Sequence, residues 1–344
     1  MSAAPEPIRW RDERLELLDQ TQLPHRAVYE VQTSIDAVDA SIRQLKVRGA
    51  PAIGIAAAYG LVVAMQALRD ADAERFEAAL SDAAHRLRAA RPTAVNLAWA
   101  IDRLLRSQRA GDGARRYAML KAEAESIHAE DRRMCRAIGM AGRELIRSQC
   151  GVLTHCNAGA LAVSELGTAT APLYLAHAGG VRFRVYATET RPLLQGSRLT
   201  AWELQQAGID VTLICDTMVA RMMAERAIDL VIVGADRVTR NGDVVNKIGT
   251  SVIAIVARYF DVPFYVACPA STFDPATHTG RDVAIEERSA EEVRRLAGVA
   301  TAPADVKVRN PAFDVTPHDL VTAFVTNAGV LMPPFERSLM QLRQ

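Results

Sequence analysis

Neither sign of charge is in excess in this chain of 344 residues: 41 Lys and Arg face 40 Asp and Glu, for a formal net charge of +1. So even a balance offers no field to draw nucleic acid or a membrane surface, and neither is expected as a partner. A phosphate pocket needs only two or three local cations and stays open. The five cysteines (Cys135, Cys150, Cys156, Cys215, Cys268) form no C-x-x-C pair and no zinc spacing with the seven histidines. No metal is expected, and scattered thiols of odd number point to a reducing compartment in which at most one is special. The first twenty residues are charged throughout and lack the apolar core of a signal peptide. No uninterrupted apolar run reads as long enough to span a bilayer, so the expected location is the cytoplasm. Internal repeats and low-complexity tracts are missing. No G-x-G-x-x-G follows a strand-like run, which argues against a dinucleotide, and no organic cofactor is expected.

What is present changes character near residue 150. Before it, Ala, Leu, Arg and Glu recur with apolar residues at three- and four-residue spacing, which predicts helices. They cover Ser34–Lys46, Pro51–Leu68, Ala73–Ala90, Thr93–Arg106 and a long stretch around Arg115–Arg147. After it, short apolar runs alternate with helical stretches. Gly151–His155, Phe183–Thr188, Val211–Cys215, Leu230–Gly234 and Pro263–Ala267 read as buried strands. Ala158–Leu166, Leu199–Gln206, Thr217–Arg226 and Thr250–Tyr259 read as helices between them. Strand and helix in alternation predict an α/β fold: a mainly helical N-terminal domain over 1–148, then a Rossmann-like parallel-sheet domain over 149–344.

Open parallel sheets bind ligands beyond the carboxyl ends of their strands. Cys156 follows Gly-Val-Leu-Thr-His, Asp236 follows Leu-Val-Ile-Val-Gly-Ala, and Asp216 closes a third strand. A thiol between a strand end and a helix N-terminus has its thiolate favoured, and can serve as nucleophile, base or redox centre. A carboxyl in an apolar pocket holds its proton to higher pH and can work as general acid. His155 adjoins Cys156, but strand alternation turns it the other way, which disfavours a protease-like Cys–His pair. Arg48-Gly49-Ala50-Pro51 opens an apolar helix, where free N–H groups beside a guanidinium make an anion site. Arg91-Pro92-Thr93 repeats the device, and the two together suggest a bidentate phosphate or sugar clamp. Gln195, in the loop Glu189–Gly196, can bond a hydroxyl. Asn241-Gly242-Asp243 reads as a hairpin turn leading to Asn246 and Lys247, candidate sugar and phosphate contacts.

Together these strings are more specific than any one of them. Val47–Gly54, Arg91–Leu97, Thr154–Ala162, Glu189–Leu204 and Gly234–Thr250 resemble, in order and spacing, the methylthioribose-1-phosphate isomerase family, relatives of the regulatory subunits of initiation factor 2B. The resemblance runs from about Val47 to Pro333 and departs at Val163-Ser164-Glu165-Leu166, Ser251 and Asn327. It implies an aldose-to-ketose isomerisation in methionine salvage, with 5-methylthioribose 1-phosphate as substrate and Cys156 and Asp236 as the catalytic pair. Substrate contacts carry over to Arg48, Gly49, Ala50, Arg91, Gln195, Asn246 and Lys247, and a homodimer joined through the C-terminal domain is implied. The rival readings are a sister isomerase for 5-deoxyribose 1-phosphate or ribose 1,5-bisphosphate, and a non-catalytic regulatory subunit. Retention of Cys156, Asp236 and both arginines disfavours the last, because function resides in the site and not in the fold.

Overall fold

The computed structural model describes residues 4–91 and 94–343. Its contacts divide it into two compact units: Pro5–Cys135 with Ala160–Gly167, and Arg136–Gly159 with Thr168–Gln344. Where the sequence suggested one cut at 148/149, the chain changes unit at Cys135/Arg136 and then returns for eight residues.

The first unit opens with three antiparallel strands that the sequence reading missed: β1 (Ile8–Arg11), β2 (Arg14–Leu18) and β3 (Tyr29–Gln32). Alternation was visible in β2, where Leu15 and Leu17 are buried and Glu16 between them is not. The turn between β1 and β2 is Asp12-Glu13, both at positive φ, without the glycine that usually announces a two-residue hairpin. Five helices follow: α1 (Ile35–Arg43), α2 (Ala50–Met65), α3 (Ala73–Ala90), α4 (Val95–Ser107) and α5 (Gly113–Gly142). All five lie within a few residues of their predicted spans. Apolar on every side, α2 is the core of the unit, and α1, α3 and α4 pack around it. The segment Ala50–Leu68 is long and apolar enough to cross a bilayer, contrary to the sequence reading; most of it is buried within the fold.

The second unit is built on a seven-stranded sheet. It comprises β4 (Gly151–Thr154), β5 (Arg184–Thr188), β6 (Asp210–Ile214), β7 (Leu230–Val233), β10 (Phe264–Ala267), β15 (Ala323–Thr326) and β16 (Gly329–Leu331). The order is β16-β15-β10-β7-β4-β5-β6, parallel except for β16 at the edge. Counted from β4, the parallel strands run 3-2-1-4-5-6, the doubly wound order, and it reverses between β4 and β7. Every residue of those two strands is buried, as a sheet covered on both faces requires. A smaller sheet joins β8 (Arg237–Thr239), β9 (Val244–Lys247), β11 (Phe273–Asp274) and β14 (Phe313–Thr316), and β12 (Arg295–Leu296) pairs with β13 (Val299–Ala300). Helices α6 (Ala171–Ala178), α7 (Ala201–Gln206), α8 (Val219–Ala224) and α9 (Thr250–Tyr259) cover the sheet.

The helix expected over Ala158–Leu166 does not form; a single 3-10 turn at Ala160–Ala162 stands there. Side chains of the first unit take up its backbone groups instead. Gln20 Nε2 donates to the Leu161 carbonyl at 2.8 Å, and the buried Asp131 carboxylate accepts from the Ser164 N–H at 2.8 Å. With those groups bonded to side chains, nothing favours an i to i−4 ladder. Helix α7 likewise starts later than expected, after a π-helical turn at Gly196–Thr200.

Candidate active site

Cys156 and Asp236 follow β4 and β7, the neighbouring strands between which the order reverses. That crevice is where an open α/β sheet accepts a ligand. Cys156 has φ +62, a left-handed conformation that a non-glycine residue adopts at a cost. Its backbone is held there from both sides. Its N–H donates to Thr190 Oγ1 at 2.9 Å, and its carbonyl accepts from Thr200 Oγ1 at 2.5 Å. Asn157 Nδ2 donates to Thr200 Oγ1 and to the fully buried Glu203, at 3.1 and 3.3 Å. The thiol is half-buried. Because no α-helix follows, the helix-dipole argument for its thiolate falls; the strained backbone and the switch point single it out instead.

His155 is a core histidine, as alternation indicated. Its Nε2–H donates to the Ile248 carbonyl at 2.8 Å, so Nδ1 is the acceptor for Thr188 Oγ1 at 2.6 Å, and burial keeps the ring neutral. The partly exposed Cys215 has Glu189 beside it, which pushes that thiol up and leaves it a poor nucleophile.

Asp236 stands exposed at its strand end, its N–H donating to the Val245 carbonyl at 2.9 Å. The apolar pocket expected around this carboxyl is therefore not formed by the chain itself. The hairpin was read correctly: β8 and β9 pair antiparallel around Asn241–Asp243 and carry Asn246 and Lys247. Asn246 is buried and donates to Thr250 Oγ1 at 3.0 Å. Lys247 Nζ donates to the Ala312 carbonyl at 2.8 Å and lies 4.6 Å from the centre of the Phe313 ring. In the loop after β5, Thr190 and Leu194 repeat the positive φ of Cys156. Asp216 fixes that loop by accepting from the N–H groups of Thr190 (2.8 Å) and Arg191 (2.7 Å). Gln195 follows, and its Oε1 is buried with no hydrogen-bond partner among the described residues. A buried acceptor left open in this way suits a ligand hydroxyl.

The remaining predicted residues belong to the other unit. Gly49, at φ +91, is the N-cap of α2, and a Cβ there would sit 2.2 Å from the Ala162 carbonyl oxygen. Arg48 precedes it and Ala50 is the first helical residue. Arg91 caps the C-terminus of α3 and does not begin α4; Pro92 and Thr93 of its motif lie outside the described residues. The first turn of α4 crosses the first turn of α2 at Gly54 and Asn96, so the Arg48 and Arg91 segments share one end of the helix pair. Among the described residues no group of three His, Cys, Asp or Glu side chains is placed to hold a metal ion.

Thr190, Thr200, Glu203 and the loop-fixing role of Asp216 escaped the sequence reading. Thr190 and Asp216 had one signal, their place directly after β5 and β6; Thr200 and Glu203 had none, since hydroxyl-to-backbone bonds follow no period.

Residues 46–333 match the Initiation factor 2 subunit family. A 5-deoxyribose 1-phosphate isomerase from Bacillus cereus is 49% identical, over 98% of this chain and 98% of its own length. A methylthioribose-1-phosphate isomerase from Heliobacterium modesticaldum is 51% identical, over 96% and 97%. Among solved structures, 5-methylthioribose 1-phosphate isomerase from Pyrococcus horikoshii superposes with a TM-score of 0.95 at 38% identity, covering 98% of this chain and 96% of that one. Subunit delta of translation initiation factor eIF-2B from A. fulgidus gives 0.93 at 43%, covering 98% of each. On sequence and on fold alike, the chain belongs to the Initiation factor 2 subunit family.

Proposed function

We propose that this protein is an aldose–ketose isomerase that converts 5-methylthioribose 1-phosphate to 5-methylthioribulose 1-phosphate, a step of methionine salvage. The observation that carries the reading is the pairing of Cys156 and Asp236 on adjacent strand ends at the switch point, in a chain about half identical to enzymes of that name. The reaction is internally balanced. The C1–O4 ring bond opens, one hydrogen passes from C2 to C1, a proton leaves O2 and a proton arrives at O4, so no external oxidant is needed. Asp236 can carry the oxygen-bound protons and Cys156 attend the C2 hydrogen. Arg48, the α2 N-terminus at Gly49 and Ala50, Arg91 and Lys247 suit the phosphate; Gln195 and Asn246 suit the hydroxyls.

The Bacillus cereus relative supports a second substrate, 5-deoxyribose 1-phosphate, which shares every reacting atom and differs only at C5. Incubating the purified protein with each sugar phosphate and measuring ketose by NMR tests both. Ketose from the methylthio sugar at the higher kcat/KM is expected; ketose from neither would overturn the reading. Five free cysteines suit a reducing interior, and we take the cytoplasm as the location. Val252, Ile255 and Tyr259, exposed along one face of α9, support assembly as a homodimer through the sheet unit.

A further inference from the structure

Asp314 lies on β14, directly opposite Asn246 of β9 in the antiparallel register. Helix α9 begins at Gly249, at φ +102, with no side-chain cap from its own segment. The cap comes from across the sheet: Asp314 Oδ2 accepts from the Gly249 N–H at 2.7 Å, and Oδ1 from the Ser251 N–H at 3.1 Å. One carboxylate thus ties the turn that directly follows Lys247. The same turn is held by the Ile248 N–H donating to Ala312 and by Thr250 Oγ1 donating to the Lys247 carbonyl. Helix-starting N–H groups have no partner within the helix, so without Asp314 two of them are left open.

We propose that Asp314 is a positioning residue that sets Asn246 and Lys247 for the sugar phosphate by clamping the turn into α9. This rests on the functional reading above for what Asn246 and Lys247 bind. Burial drives the Asp314 carboxyl up to about 6, while the two N–H donors and Lys247 pull against that rise. Among the groups on elements packed against β14, Lys247 is the charge that acts on it. The first turn of α9 carries no acidic residue and its Arg258 is in the last turn. On the 3-10 turn Gly280–Asp282, the Asp282 carboxylate is tied to the N–H and hydroxyl of Thr279. Glu292, which feels Lys247, is paired with Arg288, and His155, against Gly249, stays neutral. The clamp is therefore ionised and strongest above about pH 6, and slackens below it.

The test compares wild type with Asp314→Asn from pH 5 to 8, by kinetics and by hydrogen exchange of the 247–253 amides. The variant is expected to raise KM for the sugar phosphate roughly tenfold with little change in kcat. The ratio of kcat/KM, wild type over variant, should climb as pH rises through about 6, since the substrate's own phosphate titration cancels in it. Exchange protection of those amides should follow the same titration in wild type only. Unchanged protection overturns the clamp; lost protection with unchanged KM and a flat ratio overturns the positioning role. A wild type that makes no ketose refutes the isomerase reading, and exchange then decides the clamp alone.

Discussion

Cys156 and His128 show how differently two residues of functional type are used. Cys156 is held by two threonine hydroxyls in a conformation that costs the fold free energy. His128 is buried in the core of the helical unit, its Nδ1 3.1 Å from the Tyr59 hydroxyl, whose ring also stacks on Trp10 at 4.8 Å between centroids. Burial drives it down to about 4. The unfolded chain keeps a value near 6.5 and so binds more protons between those limits. Stability present above pH 6.5 is then lost as pH falls towards 4, by roughly 3 kcal/mol for the full shift. Urea unfolding at pH 7 and pH 5 should show about 2 kcal/mol of that loss in wild type and a smaller one in His128→Asn; equal losses would assign the acid sensitivity to other groups. At this scale the sequence was legible where position along a strand decides, as for Asp236 and for the inward turn of His155. It was illegible where a hydroxyl from a distant loop decides, as for Thr190 and Thr200.

At the scale of elements, what the sequence showed best was periodicity. Helix α3 and helix α9 occupy the residues expected, because each carries an unbroken apolar stripe between clear ends. The failure at Ala158–Leu166 has the opposite cause. Its small residues permit a helix, but Gln20 and Asp131, far away in sequence, claim its backbone groups, and Ala162 closes against Gly49. That closure makes Gly49 irreplaceable on two counts, positive φ and space. Gly49→Ala is expected to cost about 1–3 kcal/mol of stability and to raise KM for the sugar phosphate by shifting the α2 N-terminus. Thermal melts and steady-state kinetics check both, and an alanine variant with wild-type melting and KM would remove this helix start from the phosphate site.

For the whole molecule, the order 3-2-1-4-5-6 sets a switch-point crevice between β4 and β7, and the sequence reading placed both catalytic candidates at strand ends without knowing that the strands were neighbours. Strand order depends on long-range pairing, which a single sequence does not display. The apolar row Val252, Ile255 and Tyr259 on α9 is expected to close a homodimer. Light scattering should return twice 37.4 kDa for wild type and the single mass for Ile255→Asp; a monomeric wild type would leave that face to another partner.

The central claim, that Cys156 and Asp236 act as a pair on a sugar phosphate, is tested most directly by ketose formation from 5-methylthioribose 1-phosphate in wild type, Cys156→Ser and Asp236→Asn. Wild type should turn over, and each variant should lose ~10²–10⁴-fold in kcat while still binding the sugar phosphate. Variants that keep more than about half of the wild-type kcat would contradict the claim and return both residues to a structural role.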